Sequence, residues 1–171
     1  MTEVNLSLGS NVDPRQHVAA ALDALQSEFG ALEISRIYES EAVGFDGDNF
    51  LNLVVRAQTD LSLQDLADWL KRLEQDNGRR RSQAGFSSRT LDIDVLTYDD
   101  YQGHHAGMLL PRPEITKNAF VLWPLSEVDG QRRDPHSGMT YAQLWQAYDR
   151  QRQKRWPIDF HWQGRRISHA D

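Results

Sequence analysis

Apolar and polar residues alternate over residues 4–8, where Val4, Leu6 and Leu8 interleave with Asn5 and Ser7. That two-residue period is the mark of a half-buried strand, and Gly9-Ser10-Asn11 ends it. Asp13 before Pro14 predicts a helix start, with a carboxylate placed to cap and proline at the first helical position. Val18, Leu22, Leu25 and Phe29 then recur at helical spacing as far as Gly30. Residues 34–38 and 50–57 read as two further strands, and the Gly- and Asp-rich stretch 39–49 between them reads as a loop. Ser62 with Asp65 three residues on has the form of a capping box. Leu63, Leu66, Leu70 and Leu73 form the buried stripe of a second helix, closing near Gly78. Residues 78–89 have no apolar period, and residues 90–98 return to strand alternation. Beyond lie a Pro-rich turn (109–118), a buried apolar segment (119–128) and a short helix over about 141–148.

The order strand, helix, strand, strand, helix, strand predicts an α+β fold. Its arrangement is the ferredoxin-like βαββαβ sandwich, with helices on one face of an antiparallel sheet. A single domain is expected over residues 1–150, followed by a basic, aromatic C-terminal extension over 151–171 to which the sequence assigns no role. The length of 171 residues is ample for one buried core. The chain has no cysteine, which excludes thiol catalysis and cysteine-ligated zinc. A net charge of −6 argues against a general nucleic-acid or membrane-surface binder. The first residues lack the basic and apolar regions of a secretory signal, and no apolar run approaches membrane-spanning length. The expected location is the cytoplasm.

The chemistry concentrates around residue 90. Asp92 and Asp94 stand two apart in TLDIDVL, so on a strand both project from one face while Leu91, Ile93 and Val95 take the other. Two carboxylates roughly 6–7 Å apart along a strand repel each other unless a cation sits between them. Magnesium suits such a pair, since it binds through one or two carboxylates and completes its shell with water and phosphate oxygens. Taken alone, an Asp-x-Asp pair is more often a solvated face. Here it follows Arg79, Arg80, Arg81 and Arg89 with no acidic residue intervening. Guanidinium groups hold phosphates bidentately, and phosphoryl transfer needs both cations for phosphate and carboxylates for metal. No P-loop of the GxxxxGK[ST] form is present, and the six histidines show no zinc-ligand spacing.

With LSLGSN near the start, NFLNLVV in the middle, GRRRSQAGFSSRTLDIDVLTYDD, and then LPRPEITKNAFVLWPLSEV, the chain resembles the 6-hydroxymethyl-7,8-dihydropterin pyrophosphokinase family over residues 4–128. The resemblance implies the same ferredoxin-like fold and a reaction that moves pyrophosphate from ATP to the pterin hydroxymethyl group. It implies ATP as co-substrate and magnesium, two ions, as cofactor. By position, Asp92 and Asp94 fall on the metal ligands, and Arg79 and Arg89 on the catalytic arginines. Glu74 and Arg81 fall on the ATP side. Asn52, Ser40, Val43 and Asn11 fall on the pterin side, with Phe50 and Phe120 as the two stacking rings.

The chain departs from the family pattern at Phe86-Ser87-Ser88, where Trp-Gly-Pro is usual, and at Glu41, where proline is usual. Arg112 and Asn118 replace a histidine and an arginine that help hold ATP, and Arg112 and Lys117 are the candidate substitutes as phosphate-side cations. Two readings follow: an active pyrophosphokinase, or a divergent relative that binds a pterin or nucleotide with altered substrate or little transfer. An RNA-recognition module shares the element order, but its aromatic-rich strand motif is missing.

Overall fold

The computed structural model describes residues 1–41, 49–78, 91–150 and 155–171. In chain order, β1 (Thr2–Ser10) leads into α1 (Pro14–Phe29), followed by β2 (Glu33–Ile34), β3 (Tyr38–Ser40), β4 (Phe50–Thr59), α2 (Leu63–Asp76) and β5 (Asp92–Tyr98). These elements realise the predicted βαββαβ order. The sheet runs β5-β1-β4-β3, with β2 also on β4, and each of these strand pairs is antiparallel.

Alternation along the strands divides the interior in two. Val4, Leu6 and Leu8 of β1, Leu51, Leu53 and Val55 of β4, and Ile93 and Val95 of β5 meet α1 and α2 on one face. Leu6, Leu8, Leu22, Leu25, Leu53 and Leu66 are fully buried there, and each contributes about 1.5–3 kcal/mol of transfer free energy. The opposite face carries Val54 and Leu96 against α3 (Ala119–Asp129) and α4 (Tyr141–Ala147), preceded by a 3₁₀ turn at Pro113–Thr116. Helices therefore cover both faces, where the sequence predicted one. Residues 119–128, expected only as a buried segment, are helical despite Pro124 within α3. The helix buries Val121, Leu122, Pro124 and Leu125, so its apolar residues lack the one-sided period that marks a surface helix.

Three local expectations are corrected. The Asp13 carboxylate does not cap α1; Asp13 takes a left-handed conformation (φ 43°) and makes no side-chain cap bond. His17 Nδ1 instead sits 2.6 Å from the Val12 carbonyl. The strand expected over 34–38 is split, because side chains replace ladder partners there. Ser35 Oγ accepts the Val54 N–H (2.9 Å), Arg36 N–H donates to Glu127 (3.1 Å), and Ile37 N–H donates to Ser168 Oγ (2.8 Å). A hairpin, β6 (Gly103–His105) and β7 (Met108–Leu110), takes up Leu109 and Leu110, the first two residues of the expected Pro-rich turn. Its turn residues Ala106 and Gly107 both have positive φ, 51° and 78°, as a type I′ turn requires. At Ser62 one half of the expected capping box forms, its Oγ accepting the Asp65 N–H at 3.1 Å.

The segment 155–171 is folded onto the domain. β8 (Arg155–Pro157) adds to the sheet beside β3, and the hairpin of β9 (Phe160–Trp162) and β10 (Arg165–Ser168) packs on the α1 side. Phe160 is buried in the main core, and Trp162 Nε1 donates to Asp23 at 2.8 Å. Among the described residues, no helix is long and apolar enough to cross a membrane.

Candidate functional site

Strand register assembles the site. Asp92 lies opposite Gly9, Gly9 opposite Asn52, and Asn52 opposite Tyr38, so one row of residues crosses the sheet on the α3 face. With strands about 4.8 Å apart, the Asp92 and Asn52 backbones are roughly 10 Å apart. Asp94 lies one step along, opposite Ser7, and Ser40 lies opposite Phe50. A carboxylate pair and a side-chain amide therefore face the same space from strands two apart. Gly9 makes this possible by close approach, since a Cβ there would stand 3.1 Å from Asn52 Oδ1.

Asn52 is oriented from the side. Its Nδ2 donates to Ser40 Oγ at 2.9 Å, and both residues are buried. That bond fixes which edge of the amide remains for a ligand. Asn11, directly after β1, is also buried.

Among the described residues β5 is the outer strand of the sheet, with no strand neighbour on one edge. Glu74 of α2 closes part of that edge, its Oε2 accepting the Ile93 N–H at 2.8 Å. The bond pins the peptide between Asp92 and Asp94. Arg112 closes the next part: its N–H donates to Leu96 O (3.0 Å) and its Nε–H to Val95 O (3.1 Å). Its guanidinium then stands 3.6 Å from Asp94 Oδ1. Between α2, β5 and the β6–β7 hairpin runs a cleft of about 550 Å³ lined by Lys71, Glu74, Asp92, Asp94, Met108 and Arg112, among others. That volume is within the usual range for a small-molecule site.

The sheet face that carries the row is walled by α3. Its last residue, Asp129, accepts from Asn5 Nδ2 at 2.9 Å, and Arg56 Nη1 donates to Val128 O at 3.1 Å. These contacts fix the helix's C-terminal end at the far end of the sheet. Phe50 and Phe120 are both part-exposed. Tyr38 packs its ring 4.4 Å from Trp123 and donates its hydroxyl to Glu127 (2.9 Å). Burial first, and then the Glu127 charge, hold the Tyr38 phenol protonated well above its ordinary range.

Of the residues the sequence singled out, the structure gathers Asp92, Asp94, Glu74 and Arg112 around the cleft, and Asn52, Ser40 and Phe50 on the adjoining strands. Lys117 is exposed and does not line the cleft; its carbonyl accepts the Tyr148 hydroxyl at 2.9 Å. Val43, Arg79, Arg81 and Arg89 lie outside the described residues. Lys71 and Gln75 line the cleft and went unremarked in the sequence. Their spacing from Glu74 and Gln64 along one helical stripe was the available signal.

A magnesium ion fits this donor set in one particular way. Asp92 and Asp94 are hard oxygen ligands, and the Asp94 side chain is 45% exposed. No cluster of three or more metal-type side chains occurs among the described residues. Two carboxylates without a third match an ion that completes its shell with water and phosphate oxygens.

Known proteins resemble this chain in sequence and in fold. A family model described as 7,8-dihydro-6-hydroxymethylpterin-pyrophosphokinase matches residues 5–130. A 2-amino-4-hydroxy-6-hydroxymethyldihydropteridine pyrophosphokinase of Aquifex aeolicus is 36% identical over 131 residues, covering 75% of this chain and 81% of the relative. The enzyme of the same name from Porphyromonas gingivalis is 38% identical over 134 residues, covering 75% and 91%. Among solved structures, a Plasmodium falciparum HPPK-DHPS with pteroate superposes with a TM-score of 0.67 at 12% identity, covering 86% of this chain. This chain spans 44% of that longer one, and the likeness bears on the fold. The chain belongs to the 7,8-dihydro-6-hydroxymethylpterin-pyrophosphokinase family.

Proposed function

We propose that this chain transfers the β,γ-pyrophosphoryl group of ATP to the hydroxymethyl group of 6-hydroxymethyl-7,8-dihydropterin, releasing AMP, as a step of folate biosynthesis. The observation that carries the reading is the row Asp92–Gly9–Asn52 beside a cleft of nucleotide size. The pterin hydroxyl oxygen forms a bond to the β-phosphorus. The bond from that phosphorus to the oxygen shared with the α-phosphorus breaks, AMP leaves with that oxygen, and the hydroxyl proton is released.

The residues divide the work by chemistry. Asn52, oriented by Ser40, reads the polar edge of the pterin, with Asn11 and Val43 beside it and the rings of Phe50 and Phe120 stacking on its faces. Glu74 and Arg112 belong to the ATP side, with Arg81, whereas Lys117, outside the cleft, has no contact among the described residues that supports the ATP-side role expected of it; Arg79 and Arg89 are the arginines assigned to the transferring group. Magnesium, as two ions at Asp92 and Asp94, would supply neutralisation of the phosphate charge. The contribution of the chain itself is positioning and fixed charge. The protein is read as cytoplasmic, acting on small molecules without a nucleic-acid or membrane partner.

The test is AMP release from ATP, magnesium and the pterin, with controls lacking pterin or metal. AMP is expected only in the complete mixture. Asp94→Ala is expected to lower its rate at least about 100-fold with the melting temperature unchanged. Bound pterin with no AMP formed would favour the divergent-relative reading, to which the replacements at Arg112 and Asn118 point.

A further inference from the structure

The segment beyond residue 130, where the family match ends, contacts both structures that present the pterin-side groups. β8 pairs with β3 in a register that sets Arg155 opposite Ser40 and Pro157 opposite Tyr38. Ser40 is the acceptor that orients the Asn52 amide. The Arg155 side chain reaches the other wall. Its guanidinium carbon lies 5.3 Å from the Trp123 ring centroid and 5.2 Å from that of Trp145. Those two indoles are stacked, with centroids 5.0 Å apart and planes 14° apart. Trp123 lies three residues after Phe120 on α3, hence beside it on the helix surface.

Other contacts close the arrangement. Arg36 stands 5.4 Å from Trp123 and 5.5 Å from Tyr38, and its Nε–H donates to Glu127 at 2.8 Å. Arg150 covers Trp145 at 4.8 Å, and its carbonyl accepts from Arg155 Nη1. A planar cation over indole rings is attracted electrostatically, the more so where water is displaced. Arg155 thus pairs its backbone with β3, whose Ser40 sets Asn52, and lays its side chain over Trp123 of the helix that carries Phe120.

Resting on the pterin reading of the site, we propose that Arg155 is a positioning residue for pterin binding, holding the Ser40–Asn52 strand and the Phe120 helix at the separation the substrate needs. Because it acts through Ser40 and α3, its effect is expected on the pterin and not on ATP.

The experiment is steady-state kinetics with pterin and ATP varied separately, together with direct titration of the pterin by its fluorescence. Arg155→Ala is expected to raise the pterin KM and Kd about fivefold, with kcat and the ATP KM unchanged. Arg155→Lys keeps a cation over the rings and is expected to recover most of the loss. Trp162→Phe, in the hairpin on the α1 side, is expected to lower the melting temperature and leave pterin Kd unmoved. Equal rises in both KM values, or a lowered melting temperature with unchanged pterin Kd in Arg155→Ala, overturn the proposal. If the unsubstituted protein binds the pterin but forms no AMP, the transfer reading fails and the Kd series alone decides on Arg155. If it neither binds pterin nor forms AMP, the site reading and this inference fall together.

Discussion

Gly9 shows how much of the site depends on the size of one side chain. The space that a Cβ would take is occupied by the Asn52 amide, 3.1 Å away, and the neighbour must give by a few tenths of an ångström to accept it. Asn52 is held by Ser40 on its other side, so the displacement passes to the edge that meets the ligand. Gly9→Ala is therefore expected to weaken pterin binding about fivefold, as small misplacements of a positioned group do, while leaving the fold intact. A fluorescence titration reads the affinity directly. An unchanged Kd would remove Asn52 from the reading of the pterin edge. Period-two alternation made Asp92 and Asp94 legible as a pair on one face, because strand geometry fixes that relation locally. The demand on Gly9 was not legible, since it arises from register with β4.

At the level of elements, the α2–β5 contact decides whether the carboxylate pair is rigid. Glu74 is buried and accepts the Ile93 N–H at the edge of β5, where no strand pairs among the described residues. Glu74→Leu leaves that amide unsatisfied and is expected to cost about 2 kcal/mol, or about 5 °C in melting temperature. Because the pinned peptide joins Asp92 to Asp94, AMP formation is expected to fall more than about tenfold as well. Thermal unfolding and turnover on one preparation separate the two effects; a stability loss with full turnover would make Glu74 purely structural. The helices α1 and α2 were readable from their one-sided apolar stripes. The break between β2 and β3 was not, because its cause lies in Glu127 and Ser168, about 90 and 130 residues away. α3 escaped recognition as a helix for a different reason: flanked by the sheet and α4, it has no polar face over most of its length.

Across the whole molecule, charge ties together the end of the sheet remote from the row. Glu3 accepts from Arg56 and from Arg132, each at 2.7 Å, and Arg132 also meets Asp129 at 2.6 Å. The Arg56 hydrogen bond, opposed by burial and aided by Arg132, holds the Glu3 carboxyl below its ordinary value of 4.5. A carboxyl with a lowered folded-state pKa contributes its full stabilisation above the unfolded value and loses it as pH falls through the folded one. The protein should therefore lose stability between about pH 4.5 and the lowered value, and Glu3→Gln should remove that part of the acid sensitivity. At neutral pH the same substitution should cost about 2 kcal/mol. Urea midpoints for both proteins over this range make the comparison, and parallel profiles would exclude Glu3 as the group responsible. The overall βαββαβ order was legible from periodicity, and the family from RTLDID and FVLWPL. The place of residues 155–168 was not, because Phe160 and Ser168 gain their partners only once the rest of the chain is folded.

Residues that complete the main core at Phe160, and that cover the open side of β3, leave the ribosome after the strands and helices they complete. Until they arrive, a nascent chain carries an uncovered strand edge and a gap beside α1, both of which invite association with other chains. The closing contacts also join residues far apart in sequence, which slows their formation. Synthesis thus passes through a stage in which β1 to β5 are all present while the sheet is still unfinished. During that stage a chaperone has the most to protect.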